Sequence, residues 1–590
     1  MKKIFIICFL TLHHILFAQD LPRYLTEQEK SILREYFSNR VHQDILSPDP
    51  PPSPVRTMAE WEELQAVQIT WVSTAAHRLI LRQIVDHAQE ECLVYIICSP
   101  TLNGNDSNSI KTYLQSGGVP LYNIRFLATP SNSIWCRDYG PWTVYSNVTD
   151  TLRIIDWIYN RPRPLDDVTP VFIANYMGVP IHRTLIAPND LVHTGGNFMV
   201  DGHGTGFSSK LILTENAAGN PYGVSPKTEA QIDQIMNIYM GINRYIKMDV
   251  LPYDQIHHID MHMKLLDEET LLVGQYPPGV ADGPQIEANL QYVLNNFHTC
   301  FGKPYKVVRI LMPPHNGNYP PTGQYWTYTN SVFINRTVLV PTYTEQFDTI
   351  ALRIYREALP GYNIVGINCT GIINSLGALH CITKEIGVSD PVFISHSAIR
   401  NTNITNQPYE VKAYIKTRSG VNNAKLFWST DTANGFNVIN MSATGDTFRA
   451  YIPQQNMGTR VHYYISAQSN SGRTVTKPLP APRGTIQFLI TNTTGISQNE
   501  IFPESFSLKQ NYPNPFNPET NIEFSIHYET QVRLVIYDIT GKIINTAIDS
   551  KMKPGLYTYT WNASNNPSGI YFCRLESGNL TKTIKMLLIK

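Results

Sequence analysis

Between residue 67 and about residue 390 one rhythm recurs: a short apolar strand candidate, a helix with apolar residues three and four apart, then another strand. Val67-Gln68-Ile69-Thr70-Trp71 alternates, 77–90 carries Leu79, Ile80, Ile84 and Val85 at helical spacing, and Cys92-Leu93-Val94-Tyr95-Ile96-Ile97-Cys98 reads as a buried strand. The order returns around 190–255, 267–311 and 332–390. There 210–213, 271–274, 307–310 and 331–334 are strand candidates, and 285–296 and 345–358 are helices. Several such units in series point to a repeated α/β architecture. No GxGxxG turn and no GKS or GKT loop interrupts them, which lowers the case for nucleotide chemistry.

A chain of 590 residues exceeds one core and divides into about three or four domains. Residues 1–18 read as a secretory signal peptide: Met1-Lys2-Lys3, an apolar run to Phe17, and Ala18 as the small residue before the cut. Residues 19–54 form a polar lead-in that ends in Pro48-Asp49-Pro50-Pro51-Pro52-Ser53-Pro54, and the main α/β unit spans 55–394. From 395 to 490 short alternating strands (409–415, 424–428, 447–452, 461–467) separated by polar turns read as an immunoglobulin-like sandwich, with a supporting role ahead of an adhesive one. A linker at 491–503 leads to a second small β-sandwich at 504–590.

Forty-seven basic residues balance forty-seven acidic ones, so net charge gives no reason to expect nucleic acid as a partner. No stretch after the signal reaches the roughly 20 apolar residues of a membrane span. Beyond Cys8, seven cysteines remain; an odd number leaves at least one thiol free unless it bonds between chains, and none has the paired spacing of a zinc site.

Four polar stretches carry candidate chemistry. In Ser375-Leu376-Gly377-Ala378-Leu379-His380-Cys381-Ile382-Thr383, Cys381 sits among small and polar residues, a setting for a nucleophile as well as for a packing thiol. In Trp135-Cys136-Arg137-Asp138-Tyr139-Gly140-Pro141, Asp138 is either a paired turn acid or a clamp for a planar cation, with Trp135 as its aromatic cover. His257-His258-Ile259-Asp260-Met261-His262 invites a metal reading if extended, since alternation puts His258, Asp260 and His262 on one face. The other reading takes His258 as acid/base and Asp260 as a second carboxylate, with no metal and no cofactor. Asn330, just before a strand, is placed to orient substrate or the nucleophile's loop. Two carboxylates, a histidine and a thiol are the parts needed to substitute at the central carbon of a guanidinium: the acids localise its charge, the thiolate attacks, and the histidine protonates departing ammonia.

In these motifs the chain resembles the guanidino-group-modifying superfamily, in the bacterial branch of agmatine deiminases and secreted peptidylarginine deiminases. The resemblance spans roughly 55–390 and implies a five-bladed, pseudo-fivefold α/β propeller, the pentein fold, with Cys381 as nucleophile, His258 as acid/base, Asp138 and Asp260 as carboxylates, and Asn330 beside them. It implies no metal. Asp156-Trp157-Ile158-Tyr159-Asn160-Arg161-Pro162-Arg163 then supplies the substrate-binding residues, Trp135 apart: Tyr159 and the pair Arg161 and Arg163, which flank one proline as a fork for a terminal carboxylate or, alternatively, are solubilising surface charge. Gly195-Gly196-Asn197-Phe198 and 201–204 are read as scaffold, with His203 unassigned. The chain also departs from some relatives in having Leu376-Gly377-Ala378-Leu379 where they carry more glycines.

The last section, with Asn511-Tyr512-Pro513-Asn514-Pro515-Phe516-Asn517-Pro518 and a lysine-rich final strand, resembles the C-terminal sorting domain of type IX secretion cargo. The expectation is a secreted or surface-held protein that traverses the periplasm and engages the type IX secretion machinery. Its expected activity is hydrolytic deimination of arginine in peptides or proteins, C-terminal arginine above all, to citrulline. Agmatine or small-guanidine deimination is the enzymatic alternative, and an adhesin on a degenerate enzyme fold is the non-enzymatic one.

Overall fold

The computed structural model describes residues 21–39, 49–102, 104–491, 496–499, 506–526, 530–552, 555–578 and 580–590. The signal expected at 1–18 and most of the linker expected at 491–503 lie outside these residues. From Val55 to Gly387 the chain forms five small mixed sheets, three of them built from consecutive strands and a fourth that also takes in Val55–Thr57, paired antiparallel with Trp142–Ser146. Each contains parallel strands joined through a helix, with a short antiparallel strand beside them. One pairs Leu152–Trp157 with Ile181–Thr184 in parallel across the helix Thr169–Met177, with Trp142–Ser146 antiparallel. The next pairs Thr205–Ser209 with Arg244–Met248, and Met199–Val200 antiparallel. The third joins Thr270–Gln275 to Lys306–Leu311, with Met263–Leu265 antiparallel. The fourth joins Thr337–Thr342 to Asn363–Asn368, with Val332–Ile334 antiparallel.

The fifth sheet closes the set. Leu64–Thr70, Leu93–Cys98 and Ile124–Ala128 run parallel, and Lys384–Gly387, from the far end of the unit, pairs antiparallel with Leu64–Thr70. Parallel strands need a crossover, and the helices Ala75–Ala88, Glu229–Met240, Gly283–Asn296 and Glu345–Ala358 supply it in their respective sheets. Val67, Ile69, Ile96, Phe207, Val273, Leu339 and Val340 from four of the sheets meet in one continuous core.

Two expectations fail locally. Residues 210–213 are not a strand: the ladder ends at Ser209, and Leu211–Glu215 turns into a helix, since a short apolar run does not by itself fix its period. The histidine run at 257–262 is not extended either. Ile259–Met261 is a 3₁₀ turn, so the one-face alternation of His258, Asp260 and His262 is lost.

The sequence after the α/β unit is all β. Phe393–Ser395, Tyr409–Lys416, Thr447–Ile452 and Ser442–Thr444 form one sheet, and Val421–Ser429 and Arg460–Ser469 centre the other. Burial alternates along Tyr409–Lys416 as its period-2 pattern requires. Lys477 pairs with Glu268 and Arg473 with Glu63, tying this part to the α/β unit. Two further four-stranded antiparallel sheets, centred on Glu519–Ile526 with Gly555–Asn562 and on Thr530–Asp538 with Gly569–Ser577, end the chain over a core of their own. No helix among the described residues is long and apolar enough to cross a membrane.

Candidate active site

The five sheets have one feature in common: immediately before each antiparallel strand the chain makes a tight turn, and these five turns carry the polar side chains. Cys136–Tyr139 presents Asp138, Gly195–Asn197 lies before Met199–Val200, Ile259–Met261 presents Asp260, Asn330 precedes Val332–Ile334, and His380–Ile382 holds Cys381. The turns interlock. The Gly196 N–H donates to Asp138 Oδ1 (3.1 Å), the Asn330 amide to the Asp260 carbonyl (3.3 Å), and the Arg137 Nε to the His380 carbonyl (3.1 Å). Asp138, His258, Asp260, Asn330 and Cys381, expected together, are together and buried.

A guanidinium occupies the point on which they converge, and it belongs to this chain. Arg23 is fully buried. Its Nε and Nη2 donate to the two oxygens of Asp138 at 2.9 and 2.8 Å, and Nη1 and Nη2 reach the two oxygens of Asp260 at 3.3 and 3.1 Å. Nη1 also lies 2.5 Å from Cys381 Sγ. The carbon bonded to that nitrogen is therefore within about 4 Å of the sulfur, because a C–N bond with partial double-bond character adds only about 1.3 Å. Gly196 forms the floor: a Cβ there would meet the Arg23 Nη2 and come within 2.7 Å of His258 Nδ1, so a side chain would fill the guanidinium's place.

Each expected residue has a definite position. Asn330 Oδ1 accepts from the backbone N–H of Ala378 and His380 at 3.2 and 3.1 Å and from Cys381 Sγ at 3.3 Å, pinning the nucleophile's turn. His258 Nε2 pairs with Thr194 Oγ1 (2.9 Å), while Nδ1, 3.6 Å from Asp138 Oδ1, has no hydrogen-bond partner. Trp135 Nε1 donates to the Leu21 carbonyl (2.6 Å), Arg163 Nη2 to that of Pro22 (2.8 Å) and Arg161 Nε to that of Arg23 (3.1 Å). Tyr159 stands apart: its ring edge packs on Tyr139, its backbone N–H donates to Asp167, and its buried hydroxyl has no partner. His262 is buried with neither ring nitrogen hydrogen-bonded. No group of three His, Cys, Asp or Glu side chains among the described residues has a metal-holding arrangement.

Burial and the bound guanidinium set the protonation states. Burial pushes the Cys381 thiol well above its ordinary range, with the Arg23 charge working the other way. Burial, then Arg23, lowers His258 to about 3, so it is neutral. Burial opposes ionisation of Asp260 and Asp138, but Arg23 overcomes it and holds both carboxylates below their usual values. A guanidinium here thus steadies both carboxylates and favours the thiolate, which is the electrostatics of a site built for that cation.

Sequence reasoning missed Arg23, Glu29, Glu60 and His380. The stretch expected as a polar lead-in contains the helix Glu27–Ser38, whose Leu33 and Phe37 pack with Ile158, Leu185, Val192 and Tyr222. Its signal was present: Thr26-Glu27-Gln28-Glu29 is a capping box, with Thr26 Oγ1 accepting from the Glu29 N–H and Glu29 returning to the Thr26 N–H. Glu29 also binds Arg163 Nε at 2.7 Å, so one prong of the expected fork is held by an acid of this helix. His380 bridges Asp260 (2.9 Å) and Glu60 (2.7 Å), and Glu60 pairs with Lys264. No spacing rule joins these residues. Leu376 adopts a left-handed φ of 63°, a conformation that a bulky side chain rarely takes.

The chain is similar to known proteins over two of its regions. The sequence model of the family described as Porphyromonas-type peptidyl-arginine deiminase matches residues 56–386, and that of the secretion system C-terminal sorting domain matches 510–590. A Vibrio parahaemolyticus protein named "Putative agmatine deiminase" is 26% identical over 293 residues, 45% of this chain and 78% of its own length. The agmatine deiminase structure of C. jejuni is 20% identical and covers 56% of this chain and 96% of that one, with a TM-score of 0.46. A structure of a "putative agmatine deiminase" is 19% identical, covers 57% and 96% respectively, and has a TM-score of 0.50, which speaks to the α/β fold alone.

Proposed function

This chain belongs to the Porphyromonas-type peptidyl-arginine deiminase family, and we propose that it hydrolyses the guanidinium of arginine in peptides or proteins, C-terminal arginine above all, to citrulline and ammonia. It carries a type IX secretion C-terminal sorting domain and acts outside the cell or on its surface. The observation that supports the reading most is the guanidinium held by Asp138 and Asp260 against Cys381.

In the proposed reaction Asp138 and Asp260 fix the substrate cation and localise its charge. Cys381 Sγ attacks the central carbon and passes its proton by way of His258 to the nitrogen that leaves as ammonia. The resulting thiouronium is attacked by water, whose proton His258 accepts, and the sulfur departs as product forms. Asn330 positions the Cys381 turn, and Trp135, Arg161 and Arg163 receive the substrate's backbone. Tyr159 supports the wall behind them through Tyr139. Neither metal nor cofactor has a part in this scheme.

The names of the curated relatives favour the small-guanidine alternative. The peptide reading rests on the three side chains that donate to successive backbone carbonyls of residues 21–23. Two arginines at that mouth also repel the free ammonium end of agmatine and attract a carboxylate. We also read the five sheets as the blades of a pentein propeller around the converging turns, residues 55–394 as the catalytic unit, 395–490 as its immunoglobulin-like support and 504–590 as the sorting unit.

Purified protein incubated with peptides bearing internal or C-terminal arginine, with free arginine and with agmatine tests the substrate. The expected result is ammonia and citrulline from C-terminal arginyl peptides. Turnover of agmatine alone overturns the peptide reading, and no product from any of the four overturns deimination.

A further inference from the structure

Arg23 makes every contact the proposed mechanism asks of a substrate. Its guanidinium is bidentate on Asp138, shared with Asp260 and in contact with Cys381, and its backbone is read as well. The Arg23 N–H donates to the Ser375 carbonyl (2.9 Å), on the segment that leads to the nucleophile, while Arg161 takes its carbonyl. The preceding carbonyls of Leu21 and Pro22 go to Trp135 and Arg163. The helix C-terminal to Arg23 is equally anchored: Glu29 on Arg163, then Leu33 and Phe37 in an apolar cleft. With Arg23, His258 and Cys381 all buried, no second arginine has a path to the thiol while this segment is in place.

We propose that Arg23 is a self-modification site: the chain deiminates its own Arg23 to citrulline in a single intramolecular turnover, and this conversion opens the site to outside substrates. The proposal rests on the deiminase reading above. The Sγ–Cζ bond forms, one Cζ–N bond breaks, and that nitrogen leaves as ammonia with the thiol's proton. Water then adds at Cζ, the S–Cζ bond breaks, and the ureido group remains; in sum the guanidinium and one water become a neutral urea and an ammonium ion. No oxidant or cofactor enters. Tethering the arginine at the thiol replaces a bimolecular encounter, so the conversion runs to completion once. The product has lost the positive charge, and its oxygen is an acceptor facing two carboxylates. The charge-assisted bonds that hold the segment therefore go, and a site that a guanidinium had sealed is left to exchange its occupant.

Peptide mass mapping of the full chain and of its Cys381→Ala variant tests this, because trypsin cuts after arginine and not after citrulline. The wild-type chain is expected to show the NH-to-O mass change at Arg23 and an uncut peptide running on from Arg23 to Lys30. The Cys381→Ala chain is expected to keep arginine there and be cut, also after incubation with wild-type protein, since the reaction is within one chain. Unmodified Arg23 in a wild-type chain that turns over added arginyl peptides overturns the proposal and leaves the deiminase reading standing, whereas modified Arg23 with no turnover of added peptide, free arginine or agmatine supports the self-modification and overturns the opening of the site to outside substrates. Conversion of the Cys381→Ala chain by the wild type overturns the intramolecular step. As an independent measure in a His258→Gln background, which keeps Cys381 and leaves Arg23 unconverted, adding Arg23→Gln mimics the neutral product, and alkylation of Cys381 by iodoacetamide is expected to be about tenfold faster with glutamine at 23 than with arginine, the scale of one lost charge-assisted hydrogen bond. Equal rates overturn the release.

Discussion

The α/β unit and the β-rich remainder of the chain bury different things. Up to residue 390 the interior holds Arg23, Arg137, Asp138, Arg163, Asp166, Asp260, Lys264, Lys384 and Glu385, whereas among the described residues beyond 395 no Asp, Glu, Lys or Arg is buried. The first sandwich instead packs Val411, Ile415, Leu426, Val461 and Ile465. Burying charge costs several kcal/mol per ion before any pairing offsets it. A fold that needed only stability would not accumulate it, so the polar interior marks the part of the molecule that holds the candidate site.

The largest effect that tests this contrast is on activity. Cys381→Ala should lower turnover by about 10⁴-fold or more, with an unchanged circular dichroism spectrum, as for loss of a covalent nucleophile; retained turnover would remove the assigned role. Asp260→Asn should both slow the reaction by about 10²–10³-fold and lower the thermal stability of the α/β unit. It strips a charged partner from Arg23 and His380, a change worth about 3–5 kcal/mol when a buried pair is broken. In the sandwich, Ile465→Ala should cost about 2–5 kcal/mol in denaturant unfolding while kcat on an arginyl peptide stays as it was, because the cavity it leaves lies in a separate core. A fall in kcat would couple the two regions.

Acid gives the smallest and most diagnostic effect. Burial depresses His193 and His258 to about 3, so their stabilising contribution is full above about 6.5 and declines as pH falls through their folded values. Between about 4 and 7 this is opposed by Asp166 and Asp254, whose buried carboxyls are pushed up to about 7; their contribution is greatest below about 4 and declines as pH rises. Below about 4 that opposition ends, and the paired carboxylates Asp138, Asp260 and Glu60, held below their ordinary values, lose their contribution as they protonate. The slope is up to about 1.4 kcal/mol per pH unit for each group. Calorimetry from pH 4 to pH 3 should therefore show the α/β transition moving down further than the sandwich transition, which has no buried carboxylate. Equal shifts would erase the distinction.

The same contrast governs what could be read without coordinates. The helix expected at 345–358 is found at Glu345–Ala358, because Ala351, Ile354 and Tyr355 recur on one face, and the strand expected at 447–452 is found at Thr447–Ile452, because its burial alternates. Local periodicity is enough where the interior is apolar. It failed at 210–213 and at the histidine run, where the backbone leaves its period to present a turn. The residue types of the site were legible as motifs, since a thiol, a histidine and two carboxylates are chemically specific. Their partners were not.

Sequence by itself determined the repeated α/β units, the alternating β strands, and the motifs that carry the candidate residues Asp138, His258, Asp260 and Cys381, because each depends on chemistry or spacing within a few residues. Only the tertiary structure decided that Arg23 fills the centre of that set. Its partners lie 115, 237 and 358 residues away along the chain. A buried ion pair is fixed by how far-separated turns converge and exclude water, and no local pattern encodes that convergence.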